Sequence, residues 1–179
     1  MTREKPYAAF NLFFVADRAI IPTSARTPSR YRISTELVQV FDYHDKAVLT
    51  AAIEKQISLG FPPASNPKED ELIVDEDGQP DGLKNPIELK YFGSNSWDSF
   101  ERSSIHFCID CYPSGYLVDC WGRAADGKWS DAQSLELVLP AAVGVSGLVE
   151  AIWSHLQTRK DLPGSVADDI NKQKTARVD

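Results

Sequence analysis

The sequence predicts an α+β domain built on a mainly antiparallel sheet of about five to six strands, with two longer helices and one short helix. The expected order is β-β-α-β-α-β-β-β-α. Three observations carry this reading. Strand-like and helix-like stretches do not alternate as repeated βαβ units, which a parallel sheet requires. Residues 105–139 read as short alternating runs separated by tight turns, the pattern of an antiparallel meander. Two stretches, 46–59 and 146–160, carry apolar residues at helical spacing. The 179 residues suit one domain over 1–162, with a polar tail over 163–179.

Tyr7 to Ala16 is apolar on both parities, Phe10, Leu12 and Phe14 on one and Phe13 and Val15 on the other. A strand buried on both faces reads this way, so it belongs in the middle of a sheet. Residues 17–30 hold Pro22, Pro28 and several Ser and Thr, which predict a loop, and Tyr31 to Tyr43 alternates as a second strand paired with the first. Asp45 is placed to cap a helix over Lys46 to Leu59, which Gly60 and Pro62 end. Residues 61–86 hold five prolines and many acids, predicting a long excursion with little regular structure. Ile87 to Tyr91 alternates as a short strand, and Ser96 caps a short helix bearing Trp97 and Phe100. The meander then runs through Ile105, Phe107 and Ile109, a turn at Ser114-Gly115, a return over Tyr116 to Trp121, a turn at Asp126-Gly127 and a strand over Ser134 to Leu139. Ser146 opens the last helix, with Leu148, Val149, Ile152, Trp153 and Leu156 on one face. All helices are expected on one face of the sheet.

Composition excludes several classes. Hydrophobic residues make 42% and charged residues 25%, too much core material for a disordered chain. The net charge of −7 has the wrong sign for a typical nucleic-acid binder, and the basic N-terminal segment lacks interleaved stacking aromatics apart from Tyr31. No apolar run approaches the roughly 18 to 20 residues that cross a bilayer. Glu4, Pro6 and Asn11 spoil the signal-peptide pattern of the first residues, and the odd set Cys108, Cys111 and Cys120 suits free thiols in a reducing compartment. A cytoplasmic protein is expected.

Several motifs invite chemistry. Gly122 to Trp129 meets the first part of a phosphate-loop pattern, but Trp129 stands where a magnesium-binding hydroxyl belongs, and the segment joins two strands, so it reads as a hairpin turn. Cys108-Ile109-Asp110-Cys111 is a C-x-x-C in an alternating strand, where residues three apart point to opposite faces. A zinc or redox site using His106, Cys108, Cys111 and Cys120 therefore needs a bulge. His44, between Asp42 and Asp45, and His106 beside Cys108 are the places where an enzyme would put a general base. Without a complete motif at either, no catalytic residue, metal or cofactor is assigned, and a non-enzymatic role is expected.

Charge is the most informative signal. Between Lys68 and Glu88 stand Glu69, Asp70, Glu71, Asp75, Glu76, Asp77, Asp81 and Glu88 against two lysines, a local net of −6, leaving the rest of the chain near neutrality. The EF-hand spacing fails at Asp75-Glu76-Asp77-Gly78, where the glycine comes too early. A concentrated acidic segment is either a solvated loop or a surface for a strongly basic partner, whose encounter it accelerates.

In the stretch Leu89 to Arg102, Tyr91-Phe92-Gly93 is followed by Ser96-Trp97-Asp98-Ser99-Phe100. These lead into a meander with the turn Asp126-Gly127-Lys128-Trp129 and a closing amphipathic helix. Over residues 87–158 the chain thereby resembles small bacterial immunity proteins of contact-dependent growth inhibition and related polymorphic-toxin systems. The resemblance implies a cytosolic, cofactor-free protein that binds one cognate toxin domain, often a nuclease with a basic cleft, and blocks its active site. The acids Glu69, Asp70, Glu71, Asp75, Glu76, Asp77 and Asp81 would then mimic phosphates in that cleft, with Trp121 and Trp129 as apolar anchors.

Overall fold

The computed structural model describes residues 4–15, 18–29, 32–74, 76, 80–93 and 96–158. The tail expected over 163–179 lies outside the described residues, as do Asp75 and Asp77. The chain is α+β. Its main sheet has six antiparallel strands: β1 (Ala8–Val15), β2 (Arg18–Arg26), β3 (Arg32–Asp42), β6 (Ser104–Tyr112), β7 (Gly115–Arg123) and β8 (Trp129–Pro140). Their spatial order is β3-β2-β1-β6-β7-β8. A separate two-stranded hairpin joins β4 (Leu72–Val74) to β5 (Pro80–Leu83), and the helices are α1 (Lys46–Leu59), α2 (Ile87–Phe92), α3 (Trp97–Ser103) and α4 (Gly144–Thr158).

The two-faced pattern of β1 has the predicted result. It lies centrally, bonded to β2 and β6, and it serves two cores. Phe10, Leu12 and Phe14 join Leu49 and Ile53 of α1 and Leu148, Ile152 and Leu156 of α4 in the larger core. Phe13 and Val15 join Ile20, Leu89 and Phe100 in a smaller one. The expectation that all helices share one face is corrected here. The short α2 and α3 cover part of the opposite face, because Phe13, Val15 and Ile20 leave apolar surface there that water would otherwise meet.

Two further elements differ from the sequence reading. Residues 18–26, expected as a loop, form β2, whose interior is buried and which separates β1 from β3. Pro22 is tolerated because the β2–β3 register shifts at that point, where no ladder N–H is needed. Ile87 to Tyr91, expected as a strand, is helical: Pro86 precedes the first turn, and Gly93, at φ 83°, ends it in the left-handed region. Six residues of alternating polarity fit either state, and packing of Leu89 into the second core decides. The 61–86 excursion also has more structure than expected, holding a 3-10 turn over Glu69–Glu71 and the β4–β5 hairpin.

Local signals at helix starts hold. Asp45 accepts from the backbone N–H groups of Ala47 (2.8 Å) and Val48 (3.3 Å), and Ser96 accepts from Ser99 N–H (3.2 Å). Ser146, by contrast, lies inside α4, which begins at Gly144 after a 3-10 turn over Ala141–Val143. The Gly122 to Trp129 segment is the hairpin turn between β7 and β8, closed by Ala124 N–H to the Lys128 carbonyl at 2.9 Å. No described helix is long and apolar enough to cross a membrane.

Candidate functional site

The second face of the sheet carries a cleft of about 710 Å³. Its walls come from the start of β3, the β4–β5 hairpin, the first turn of α2 and Trp97 at the head of α3. Three polar side chains matter here: Arg32, Lys84 and Glu88. The guanidinium of Arg32 donates to Asp110 Oδ1 at 2.7 Å, and the Lys84 ammonium donates to the Asp70 carbonyl at 3.0 Å. Both cations therefore have acceptors.

Glu88 is different. It is only 4% exposed, and burial raises its pKa above the usual carboxylate range, an effect that a hydrogen bond from Ser34 partly offsets. Its Oε2 has no hydrogen-bond partner among the described residues. A buried acceptor without a donor costs stability, and such groups are rare in folded chains. The position follows from local structure: once Leu89 turns into the core, its neighbour Glu88 is carried to the junction of α2 and β3. On the outer side of that junction Glu36 accepts from Lys90 Nζ (2.8 Å) and from the Tyr91 hydroxyl (2.9 Å), which clamps α2 to β3. Beside the clamp the strand bulges, and Leu37 sits at φ 67° with its side chain 75% exposed.

The acidic segment borders this cleft. Glu69, Asp70 and Glu71 stand exposed on the 3-10 turn that leads into β4, and Glu76 is exposed beyond the strand. The turn is fixed by the Glu71 carboxylate, which accepts from Lys68 N–H at 2.8 Å, and by Lys84 N–H to the Glu71 carbonyl at 2.9 Å. Ile73 and Val74 expose apolar surface immediately after the acids. Asp81 belongs to β5. The structure thus brings Glu69, Asp70 and Glu71 together with the cleft.

It does not bring the two tryptophans there. Trp129, expected as an outward anchor, packs into the second core: its ring centre lies 5.7 Å from Phe13, 5.6 Å from Phe100 and 4.6 Å from His106, and its indole N–H donates to the Ser104 carbonyl at 3.0 Å. Trp121 is half-buried and stacks on His106 at 5.8 Å. The aromatic that lines the cleft is Trp97, 38% exposed, on the short helix that Ser96 caps. Glu88 and Trp97 were hard to recognise from sequence. The available signal was a glutamate between Ile87 and Leu89 on what proved to be a helix.

The residues that suggested enzymatic or metal chemistry are arranged for packing. His106 stacks on Phe13 and Trp121 and lies tilted against Trp129, is bonded through Nε2 to Asn11 Oδ1 at 3.1 Å, and burial pushes its pKa down to about 3. A histidine in that state is neutral at pH 7 and a poor base. Cys108 lies 3.4 Å from the same ring nitrogen, and burial raises its thiol pKa, leaving a weak nucleophile. Cys111 and Cys120 belong to the larger core on the other face. The β6–β7 register runs unbroken from Phe107 to Tyr112, so no bulge turns Cys111 toward Cys108. Burial raises the Cys111 thiol to about 12. Among the described residues no group of three or more His, Cys, Asp or Glu is placed to hold a metal ion. His44 contacts Asp42 Oδ1 through Nδ1 at 2.6 Å, but its Nε2 is buried against the fold.

No family model matches this chain, and no curated protein matches it. Among solved structures, a protein of unknown function from Neisseria meningitidis, NMB0488, is similar over 84% of this chain and 94% of its own, at 12% identity and a TM-score of 0.48.

Proposed function

We propose that this chain is a non-enzymatic immunity protein that binds and neutralises a basic toxin domain, with the acidic rim and the cleft beside it as the contact surface. One observation carries the reading. Exposed carboxylates at Glu69, Asp70 and Glu71, an apolar strand edge at Ile73 and Val74, and a recess walled by Trp97 and Glu88 lie side by side on the second face. The exposed charges give long-range attraction to a cationic partner, and the apolar edge and recess give short-range complementarity. A nuclease cleft built to hold phosphates is one such cationic surface.

The test is co-expression of the full chain with the toxin domain encoded by the adjacent reading frame. Growth should be restored, and calorimetry on the purified pair should give an affinity that falls as salt is raised. Absence of rescue, or an affinity indifferent to salt, overturns the reading.

A further inference from the structure

We infer that the cleft is a socket for one arginine side chain of the protein partner, with Glu88 Oε2 as the acceptor for its guanidinium and Trp97 as the aromatic surface beside it. The inference deepens the protein-binding reading and rests on it. The choice of a cation over an anion follows from what is already satisfied. Arg32 and Lys84, which would attract an anion, are engaged by Asp110 and by the Asp70 carbonyl. The acceptor left without a donor is Oε2 of Glu88, a residue only 4% exposed whose carboxylate is otherwise bonded by Ser34.

A guanidinium fits this vacancy better than an ammonium. Its planar fork donates to a carboxylate oxygen while its face lies on an indole, and it is more weakly hydrated, so entering a recess costs less. The Trp97 ring is held in place for that contact by Phe100 at 5.3 Å and Trp129 at 5.5 Å. Ile33, Leu83 and Pro86 supply apolar wall for the methylene stem. The exposed Glu69, Asp70 and Glu71 draw the arginine toward the recess.

The test needs no partner. The full chain is titrated with Nα-acetyl-arginine amide, with the neutral isostere Nα-acetyl-citrulline amide, and with spermidine, while the Glu88 carboxyl carbon is followed by NMR. The arginine probe should shift that resonance saturably, and the citrulline probe should bind at least about tenfold more weakly, the worth of one charge-assisted hydrogen bond. Glu88→Gln should lose the same factor while melting at or above the wild-type temperature, since a buried charge has been removed. Equal binding of the arginine and citrulline probes, or an unmoved Glu88 resonance, overturns the socket even if Glu88→Gln does not fold. Tighter binding of spermidine also overturns it and assigns the recess to a free polyamine. If the toxin domain binds but the arginine probe does not, only the socket falls. If the probe binds but no toxin is neutralised, only the immunity function falls.

Discussion

The Trp129 indole lies 4.6 Å from the His106 imidazole, ring centre to ring centre, and its N–H is bonded to the Ser104 carbonyl. The pair links the β7–β8 hairpin to the second core. Arg123 completes the joint by donating to the carbonyls of Glu101, Ser104 and Gly127, so the end of α3, the start of β6 and the turn before β8 are held by one guanidinium.

Trp129→Ala should therefore act on stability. Removing a large ring from an aromatic cluster costs about 3 kcal/mol or more, and the indole N–H bond to the Ser104 carbonyl is lost with it, although Arg123 still donates to that carbonyl. Urea unfolding measures it. A variant with unchanged midpoint and weakened partner binding would restore Trp129 to the role of an exposed anchor.

Acid sensitivity should trace to His106. Its folded pKa, about 3, lies below the ordinary 6.5, so between those values the unfolded chain holds a proton that the native chain refuses. Stability is fully present above pH 6.5 and declines as pH falls toward 3, by up to ~1.4 kcal/mol per pH unit for this one group. Denaturant melts of wild type and His106→Phe at pH 7 and pH 5 check this. The variant should lose less than wild type on acidification, and equal losses would show that other groups carry the effect.

Gly115 should tolerate no side chain. It has φ 151°, and a Cβ there would stand 1.9 Å from the Leu139 carbonyl oxygen and 2.9 Å from the Ala141 nitrogen. Those are backbone atoms of the neighbouring β8 and the turn after it, which cannot yield without opening the β7–β8 ladder. Gly115→Ala should destabilise by about 3 kcal/mol or more, on the scale of other clashes in packed interiors. A thermal melt within a degree or two of wild type would contradict the placement of the two strands.

Neutralising the acidic turn should change kinetics before stability. Glu69→Gln, Asp70→Asn and Glu71→Gln together remove exposed charge, so thermal stability should stay within about 1 kcal/mol. The association rate with the proposed toxin partner should fall roughly tenfold at low ionic strength and converge with wild type at high salt, because only screened attraction has been removed. Stopped-flow measurement at two salt concentrations decides. An unchanged rate at low salt would place the contact elsewhere.

Several elements were legible in the sequence for a definite physical reason. Alternation through Ile105, Phe107 and Ile109, helical spacing at Leu49 and Ile53 and at Leu148 and Ile152, and capping side chains at Asp45 and Ser96 are all local. Each records which residues share a face, and the structure keeps them there. β2 escaped because Pro22 and its Ser and Thr neighbours resemble a loop, although Ser24 and Thr23 are buried once β3 covers the sheet edge. α2 escaped because six alternating residues do not distinguish a helix from a strand.

The sequence by itself determined the local periodicities, the central place of β1 and the concentration of charge at residues 68–88. Only the tertiary structure decided what covers each face. Periodicity sets a side chain's direction relative to its own element, whereas the environment it meets depends on residues far away in the chain. That is why His106 and Cys108 part from Cys111 and Cys120 across one sheet. It is also why Glu88, one of the eight acids between residues 68 and 88, becomes a buried carboxylate bonded by Ser34 at the wall of the cleft.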